Sequence, residues 1–151
     1  MSEREDDAML AYWKEHREQL RQSENQRAVM TNFILVITAG ISGFVIQQHF
    51  SVRTIPLSVL TVVIGLYGAL AAAKYHERAD YHLSQARALT RALVSSGALP
   101  DNKAVLDEFR QAHDARYPRL RRLRLYWLWI ALHLGVAAYG VVLLIVTGVV
   151  Q

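Results

Sequence analysis

The sequence predicts an all-α membrane protein with three transmembrane helices, an N-terminal cytoplasmic helix and a cytoplasmic helical hairpin. Three uncharged runs support this prediction, because residues 28–52, 54–73 and 125–151 contain no Asp, Glu, Lys or Arg. Uncharged apolar runs of about 20 residues match the hydrocarbon thickness of a bilayer. In a chain of 151 residues, the remainder is too short for a sizeable catalytic domain. The absence of cysteine excludes a disulfide framework, a thiol nucleophile and a thiolate metal site.

The runs divide the chain into four predicted segments. They are a cytoplasmic helix in residues 1–27, a transmembrane hairpin in residues 28–73 with spans 28–47 and 55–73, a cytoplasmic helical hairpin in residues 74–118, and a third transmembrane helix with a basic collar in residues 119–151.

Basic residues predict the orientation. Residues 1–27 contain five Lys and Arg, the loop between the first two spans contains one, and residues 74–124 contain eleven, which accounts for all 17. The positive-inside rule therefore places the N-terminus and residues 74–124 in the cytoplasm. Three spans that start inside must end outside, so we expect the C-terminus on the outer face.

Two helices are predicted to be long. No Pro or Gly interrupts residues 2–39, so the N-terminal helix should run into the first span. The second helix should extend for about 40 residues, from Pro56 almost to Gly97. Helical spacing gives each one a stripe: Met9, Trp13, His16 and Leu20 on the first, and Tyr75, Ala79, His82, Ala86, Leu89 and Leu93 on the second. The first stripe fits packing on a neighbouring cytoplasmic helix, an interfacial helix or a coiled-coil seam.

A returning helix should follow the second one. Asp101 is its predicted N-cap, and Val105, Phe109 and Ala112 form its apolar face. Tyr117-Pro118 should end it. The arginines from Arg119 to Arg124 should then begin the helix of the third span.

Hydroxyl side chains align inside the first two spans, in the set Thr31, Thr38, Ser42, Ser58 and Thr61. One interpretation is packing and hydrogen bonding between helices. The other is that these residues line a pore. Three helices cannot enclose a useful pore, so a channel would need several copies around an axis.

Small residues and one histidine mark two further features of the spans. Gly65, Ala69 and Ala73 form a small-xxx-small ladder, which predicts a close helix contact within or between subunits and is our candidate assembly seam. His133 lies inside the third span. It is either a neutral imidazole hydrogen-bonded to Tyr126 or to a hydroxyl, or a proton sensor.

The cytoplasmic basic residues are the candidate ligand site. Residues 74–124 carry eleven basic and six acidic side chains, a net charge of +5. Arginine suits bidentate phosphate binding, and neighbouring rings can stack on bases. The predicted ligand-binding residues are Arg78, His82, Arg87, Arg91, Arg119 and Arg122. A lipid-binding collar and internal salt bridges remain alternative interpretations. We find no motif that predicts an enzyme, a metal site or a cofactor.

Two motifs carry a family resemblance. Ser23-Glu24-Asn25-Gln26-Arg27 precedes an apolar span and a short outer turn, and Lys74-Tyr75-His76-Glu77-Arg78 is followed by Tyr81-His82. Together they resemble the SLATT-type transmembrane effectors of bacteria, which associate with SMODS and SLOG proteins. The resemblance covers about residues 10–95, and the third span departs from the simple two-span pattern. It implies the bacterial inner membrane and a role in anti-phage defence, in which a partner nucleotidyltransferase makes the signal.

Two functional hypotheses follow. The first is a homo-oligomeric channel or pore effector that a cytoplasmic nucleotide or short oligonucleotide gates. The second is a structural or adaptor membrane protein whose cytoplasmic helices dock a partner protein. Ion leakage from liposomes would distinguish the two.

Overall fold

A computed structural model describes residues 3–149, which form four α-helices and two short 3-10 turns. The helices are α1 (Glu3–Gln47), α2 (Ile55–Ser95), α3 (Lys103–Arg116) and α4 (Leu125–Val149), and the turns are Val52–Thr54 and Leu120–Arg122. No strand occurs within the described range, so the all-α prediction is confirmed. The last two residues of the predicted third span lie outside that range.

The two long helices form as predicted. Helix α1 has 45 residues without a break, and α2 has 41. Helix α2 ends at Ser95, and Gly97 follows with a φ of +83°, a left-handed conformation that glycine adopts without steric cost. The Gly97 N–H donates to the Val94 carbonyl at 3.1 Å. Glycine therefore ends this helix, as its position predicted.

The starts of the last two helices correct the sequence analysis. Asn102, and not Asp101, occupies the cap position of α3, although Asp101 Oδ1 accepts the Lys103 N–H at 3.0 Å. Helix α4 begins at Leu125, so the arginines from Arg119 to Arg124 precede it. Leu120–Arg122 of this stretch form a 3-10 turn, and Leu123 after it has an extended backbone, which separates the arginines up to Arg122 from α4.

The chain forms two compact units. The polar unit comprises the residues up to Ser23 together with Glu77–Arg124, and the apolar unit comprises Glu24–His76 and the residues from Leu125 onward.

In the polar unit, the early part of α1 packs against the late part of α2. Ala79, Ala86 and Leu93 of the predicted α2 stripe are buried. Trp13 Nε1 of α1 donates to Thr90 Oγ1 of α2 at 2.9 Å. The α1 stripe thus packs on a neighbouring helix, which was the first of its three interpretations.

The returning helix α3 contributes no residue to this core. None of its residues is buried, and Phe109 is 72% exposed. Its apolar face, predicted at Val105, Phe109 and Ala112, points outward. The helix therefore forms as predicted, and its apolar face is exposed.

The apolar unit has polar residues inside and apolar residues outside. Thr61 and His133 are fully buried, whereas Leu70 is 72% exposed and Phe33 64% exposed. Helices α1, α2 and α4 are long and apolar enough to cross a membrane. An outward apolar surface is stable in lipid, where apolar side chains carry no hydration cost. These features are those of a multi-pass membrane protein.

Glycines bring α2 and α4 close together in this unit. A Cβ added at Gly65 would lie 2.4 Å from the Ala137 nitrogen, and one at Gly140 would lie 2.7 Å from the Val62 nitrogen. Real Cβ atoms do not approach backbone atoms so closely. At Gly65 the predicted small-residue ladder therefore forms a contact within one chain.

We expect Gly65→Ala to destabilise the apolar unit by about 1–3 kcal/mol, because the added methyl group forces two backbones apart. Gly135→Ala is the matched control, since nothing lies within 4 Å of its added Cβ and alanine favours a helix by about 1 kcal/mol. Thermal unfolding in detergent measures both variants. Equal unfolding temperatures for the two would contradict the contact.

Candidate functional site

A basic cleft lies in the polar unit, between the end of α2 and the start of α3. Its volume is about 710 Å³. Arg87 and Arg91 line it from α2, and Lys103 and Arg110 line it from α3. Val94, Leu99, Pro100 and Leu106 add an apolar wall. Volumes between about 300 and 1,000 Å³ are typical of small-molecule sites.

The acidic residues of the cleft already have partners. Asp107 pairs with Arg110 at 3.6 Å, and Asp101 accepts the Lys103 N–H. Elsewhere, Asp114 pairs with Arg121 at 3.5 Å. No carboxylate among the described residues forms an ion pair with Arg87 or Arg91. The cleft is lined by four basic and two acidic residues, so its net charge is +2, which favours an anionic ligand.

The other predicted ligand residues lie elsewhere. Arg78 donates to Gln19 Oε1 at 3.2 Å, and His82 faces His16, so neither lines the cleft. Arg119 and Arg122 are exposed in the segment before α4. The structure therefore separates the six predicted residues into three places, and only Arg87 and Arg91 line the cleft.

Sequence reasoning missed two residues of the cleft, Lys103 and Arg110. They are seven residues apart, which places both on one face of α3. This spacing was a usable signal. The apolar pattern Val105, Phe109 and Ala112 lies on a different face of α3 and gives no indication of this basic pair.

A pair of histidines forms part of the seam between α1 and α2 in the polar unit. His16 Nδ1 and His82 Nδ1 are 3.1 Å apart, so one must donate and the other accept. Burial lowers the pKa of His82 below 6.5, and the nearby His16 and Arg78 charges lower it further, whereas Glu15 opposes the shift. The seam therefore favours a neutral His82.

The predicted pore-lining hydroxyls lie in the interior of one chain, between its helices. Thr31, Thr38, Ser58 and Thr61 are buried, and Ser42 is half-buried. Four of the five hydroxyls donate to the carbonyl four residues earlier: Thr31 to Arg27, Ser42 to Thr38, Ser58 to Thr54 and Thr61 to Leu57. This arrangement provides the packing and hydrogen bonding of the first interpretation. A pore lined by these residues stays a prediction.

The hydrogen bonds of Thr31 indicate that neutral His133 carries its proton on Nε2. The Thr31 hydroxyl donates to the Arg27 carbonyl at 2.9 Å, so its oxygen is free to accept from His133 Nε2, which lies 3.1 Å away. His133 Nδ1 has no partner, and a Cβ at Gly68 would lie 2.4 Å from it. His133 therefore bonds a hydroxyl across the interface, one of its two predicted partners. Tyr126 instead stacks on His76, with centroids 4.2 Å apart.

Arg27 is a second residue whose position the sequence did not reveal. The sequence places Arg27 just before the first span, where exposure is expected, but only 7% of its surface is exposed. Its guanidinium carbon lies 5.1 Å from the centroid of the Trp129 ring, a cation–π contact. Arg27 precedes Thr31 by four residues, so the two side chains lie on the same face of α1. The helical spacing of the hydroxyl residues therefore already indicated that Arg27 faces inward.

Comparisons with protein-family models, with curated proteins and with solved structures found no match to this chain. Across residues 3–149, no three His, Asp or Glu side chains converge as a metal site would require.

We expect Thr31→Val to destabilise the apolar unit by about 1 kcal/mol, in the range measured for hydrogen bonds in membranes. The change leaves the buried Nε2–H of His133 without an acceptor. Thr38→Val is the matched control, since the buried Thr38 hydroxyl has no partner to lose. Unfolding in detergent should show a larger loss for Thr31→Val. An equal or smaller loss would contradict the bond.

The contact between α1 and α2 in the polar unit should weaken at acidic pH. Because the pKa of His82 is lower in the folded chain than in the unfolded chain, stability is complete well above pH 6.5 and falls as the pH drops through that value. Hydrogen exchange, corrected for its intrinsic pH dependence, should show less protection of residues 77–95 at pH 5.5 than at pH 7.5. His82→Gln should remove most of this difference. Unchanged protection in the parent would refute the dependence.

Proposed function

We propose that this chain is a multi-pass protein of the bacterial cytoplasmic membrane with its polar unit in the cytoplasm. It forms a homo-oligomeric channel or pore that a phosphate-bearing ligand gates, namely a nucleotide or short oligonucleotide made by a partner nucleotidyltransferase. Antiviral defence is the corresponding role. The resemblance to SLATT-type effectors supports the role, and the basic cleft supports the ligand.

The cleft is the observation that carries this proposal. Arg87 and Arg91 are four residues apart on one face of α2, and no described carboxylate neutralises them. Arginine binds phosphate oxygens through two parallel hydrogen bonds. The apolar wall beside these arginines provides contact for the organic part of a ligand. A phosphate ester matches both parts of the cleft, because its phosphate can bind the arginines and its organic group can contact the apolar wall.

The outer face of α1 supports assembly into an oligomer. Asn32, Ala39 and Gly43 lie on one side of the helix and are exposed, in a unit whose outer surface is otherwise mainly apolar. Nothing lies within 4 Å of a Cβ added at Gly43. Small residues allow helices of neighbouring copies to approach, and a side-chain amide can bond across the contact. Several copies are needed because three helices cannot enclose a pore.

Gating requires that the ligand binds the open and closed assemblies with different affinity, since equal affinity shifts no equilibrium. The expected readout is ligand-dependent leakage of ions from liposomes that contain the protein. The direction of the change, opening or closing, is part of the measurement.

We expect the double variant Arg87→Glu/Arg91→Glu to lose ligand-dependent leakage and to bind nucleotides at least about 100-fold more weakly, since each charged hydrogen bond contributes about 1.5–3 kcal/mol. The matched control is Arg4→Glu/Lys14→Glu. It makes the same change in charge at exposed positions of α1 that do not line the cleft. Calorimetry on the detergent-solubilised protein measures binding. Equal binding by the two variants would refute the site.

A second candidate function is an adaptor that docks a partner protein. The exposed apolar face of α3 favours it, because Phe109 and Val105 are 72% and 52% exposed. The leakage measurement separates the two functions. An absence of conductance with every nucleotide tested, in protein that binds those nucleotides, would favour the adaptor.

A further inference from the structure

We propose that the basic cleft binds one small ligand with at least two phosphate groups, and that this ligand bridges α2 and α3 and closes α3 onto α2. The inference rests on the proposed function, because it concerns the same cleft. It adds the number of anionic groups that the ligand must carry and the helix that moves.

Helix α3 is only loosely held in the polar unit. None of its residues is buried, and none of its side chains forms a hydrogen bond or ion pair with residues 87–95 of the facing wall. Its charged side chains pair within α3 itself or with the segment after it, as in Asp107–Arg110 and Asp114–Arg121. Few contacts would be lost if α3 changed its distance from α2.

Basic side chains lie on both walls of the cleft. Arg87 and Arg91 line it from α2, and Lys103 and Arg110 line it from α3, where Asp101 and Asp107 balance their charge. The net positive charge of the cleft therefore lies on the α2 wall, while the α3 wall offers two further basic side chains as phosphate ligands. A ligand with a single phosphate can satisfy one wall. A ligand with two phosphates can satisfy both walls together and draw them toward each other.

The connection between the helices suits such a movement. Leu99 N–H donates to the Leu93 carbonyl at 3.1 Å, which fixes the start of the loop to the end of α2. The next residues, Pro100 to Asn102, are exposed. They are the natural hinge, because a change of their backbone angles moves α3 as a whole.

The size of the cleft sets the size of the ligand. About 710 Å³ accommodates one small molecule, and Val94, Leu99 and Leu106 cover its organic part. The positive end of the α3 dipole lies at Lys103, at the rim of the cleft, and adds a further attraction for phosphate. The expected class is therefore a compact organic diphosphate or triphosphate.

The test measures the distance between the two helices directly. The chain has no cysteine, so Ala88→Cys on α2 and Gln111→Cys on α3 introduce two unique sites for spin labels. Both positions are exposed, and neither lines the cleft. Double electron–electron resonance on the full chain in nanodiscs gives the distance with inorganic pyrophosphate, with inorganic phosphate and without either probe. Calorimetry measures the binding of each probe in parallel.

We expect pyrophosphate to shorten and narrow the distance distribution, and phosphate to leave it unchanged. Lys103→Ala/Arg110→Ala should abolish the shortening and weaken pyrophosphate binding at least 10-fold, while Arg4→Ala/Lys14→Ala should behave as the parent. If pyrophosphate binds without shortening the distance, the proposed closure of α3 is overturned, while the cleft is retained as the ligand site. Equal shortening by phosphate would overturn the two-phosphate requirement. If pyrophosphate fails to bind where nucleotides bind, this inference alone falls, and if neither binds, the proposed function falls with it.

Discussion

The close approach of α2 and α4 at Gly65 and Gly140 is the contact on which the apolar unit depends. Between helices in lipid, the hydrophobic effect supplies little attraction, so association relies on backbone proximity and a few polar bonds. The glycines supply that proximity. They also leave room for the His133 ring against Gly68, where its other nitrogen reaches Thr31 on α1. One close contact thereby connects all three helices.

The polar unit is stabilised in another way. Its seam between α1 and α2 buries small and medium side chains, such as Ala79 and Ala86, and relies on polar bonds such as that between Trp13 and Thr90. Helix α3 contributes nothing to this core. Because the polar unit has fewer buried side chains than the apolar unit, we expect it to open at a lower cost in free energy. Protonation of His82 would weaken its seam further, and the proposed anionic ligand would bind beside α3, which has no buried residue.

The sequence predicted the elements well because local signals determine them. Charge-free runs located the spans, Gly97 marked the end of α2, and helical spacing identified the buried stripe. The starts of α3 and α4 were missed because capping at Asp101 and Asn102 and the 3-10 turn Leu120–Arg122 decide them within a few residues. The cleft was only half predicted. Charge counts show that residues 74–124 are basic, but they do not show which faces of two helices turn toward each other, and that choice is tertiary.

The burial of the hydroxyls also restricts how any channel is built. Thr31 and Thr61 donate to carbonyls of their own helices and lie inside one chain, so a pore along them would require α1, α2 and α4 to separate. That separation would break the glycine contact at Gly65 and leave His133 without an acceptor. A pore between copies avoids this cost, because it can use the outer face of α1 with Asn32 and Gly43. Helical spacing places the hydroxyl face and the face with Asn32 and Gly43 side by side on α1. The burial of the hydroxyl residues then assigns their face to the interior of the chain.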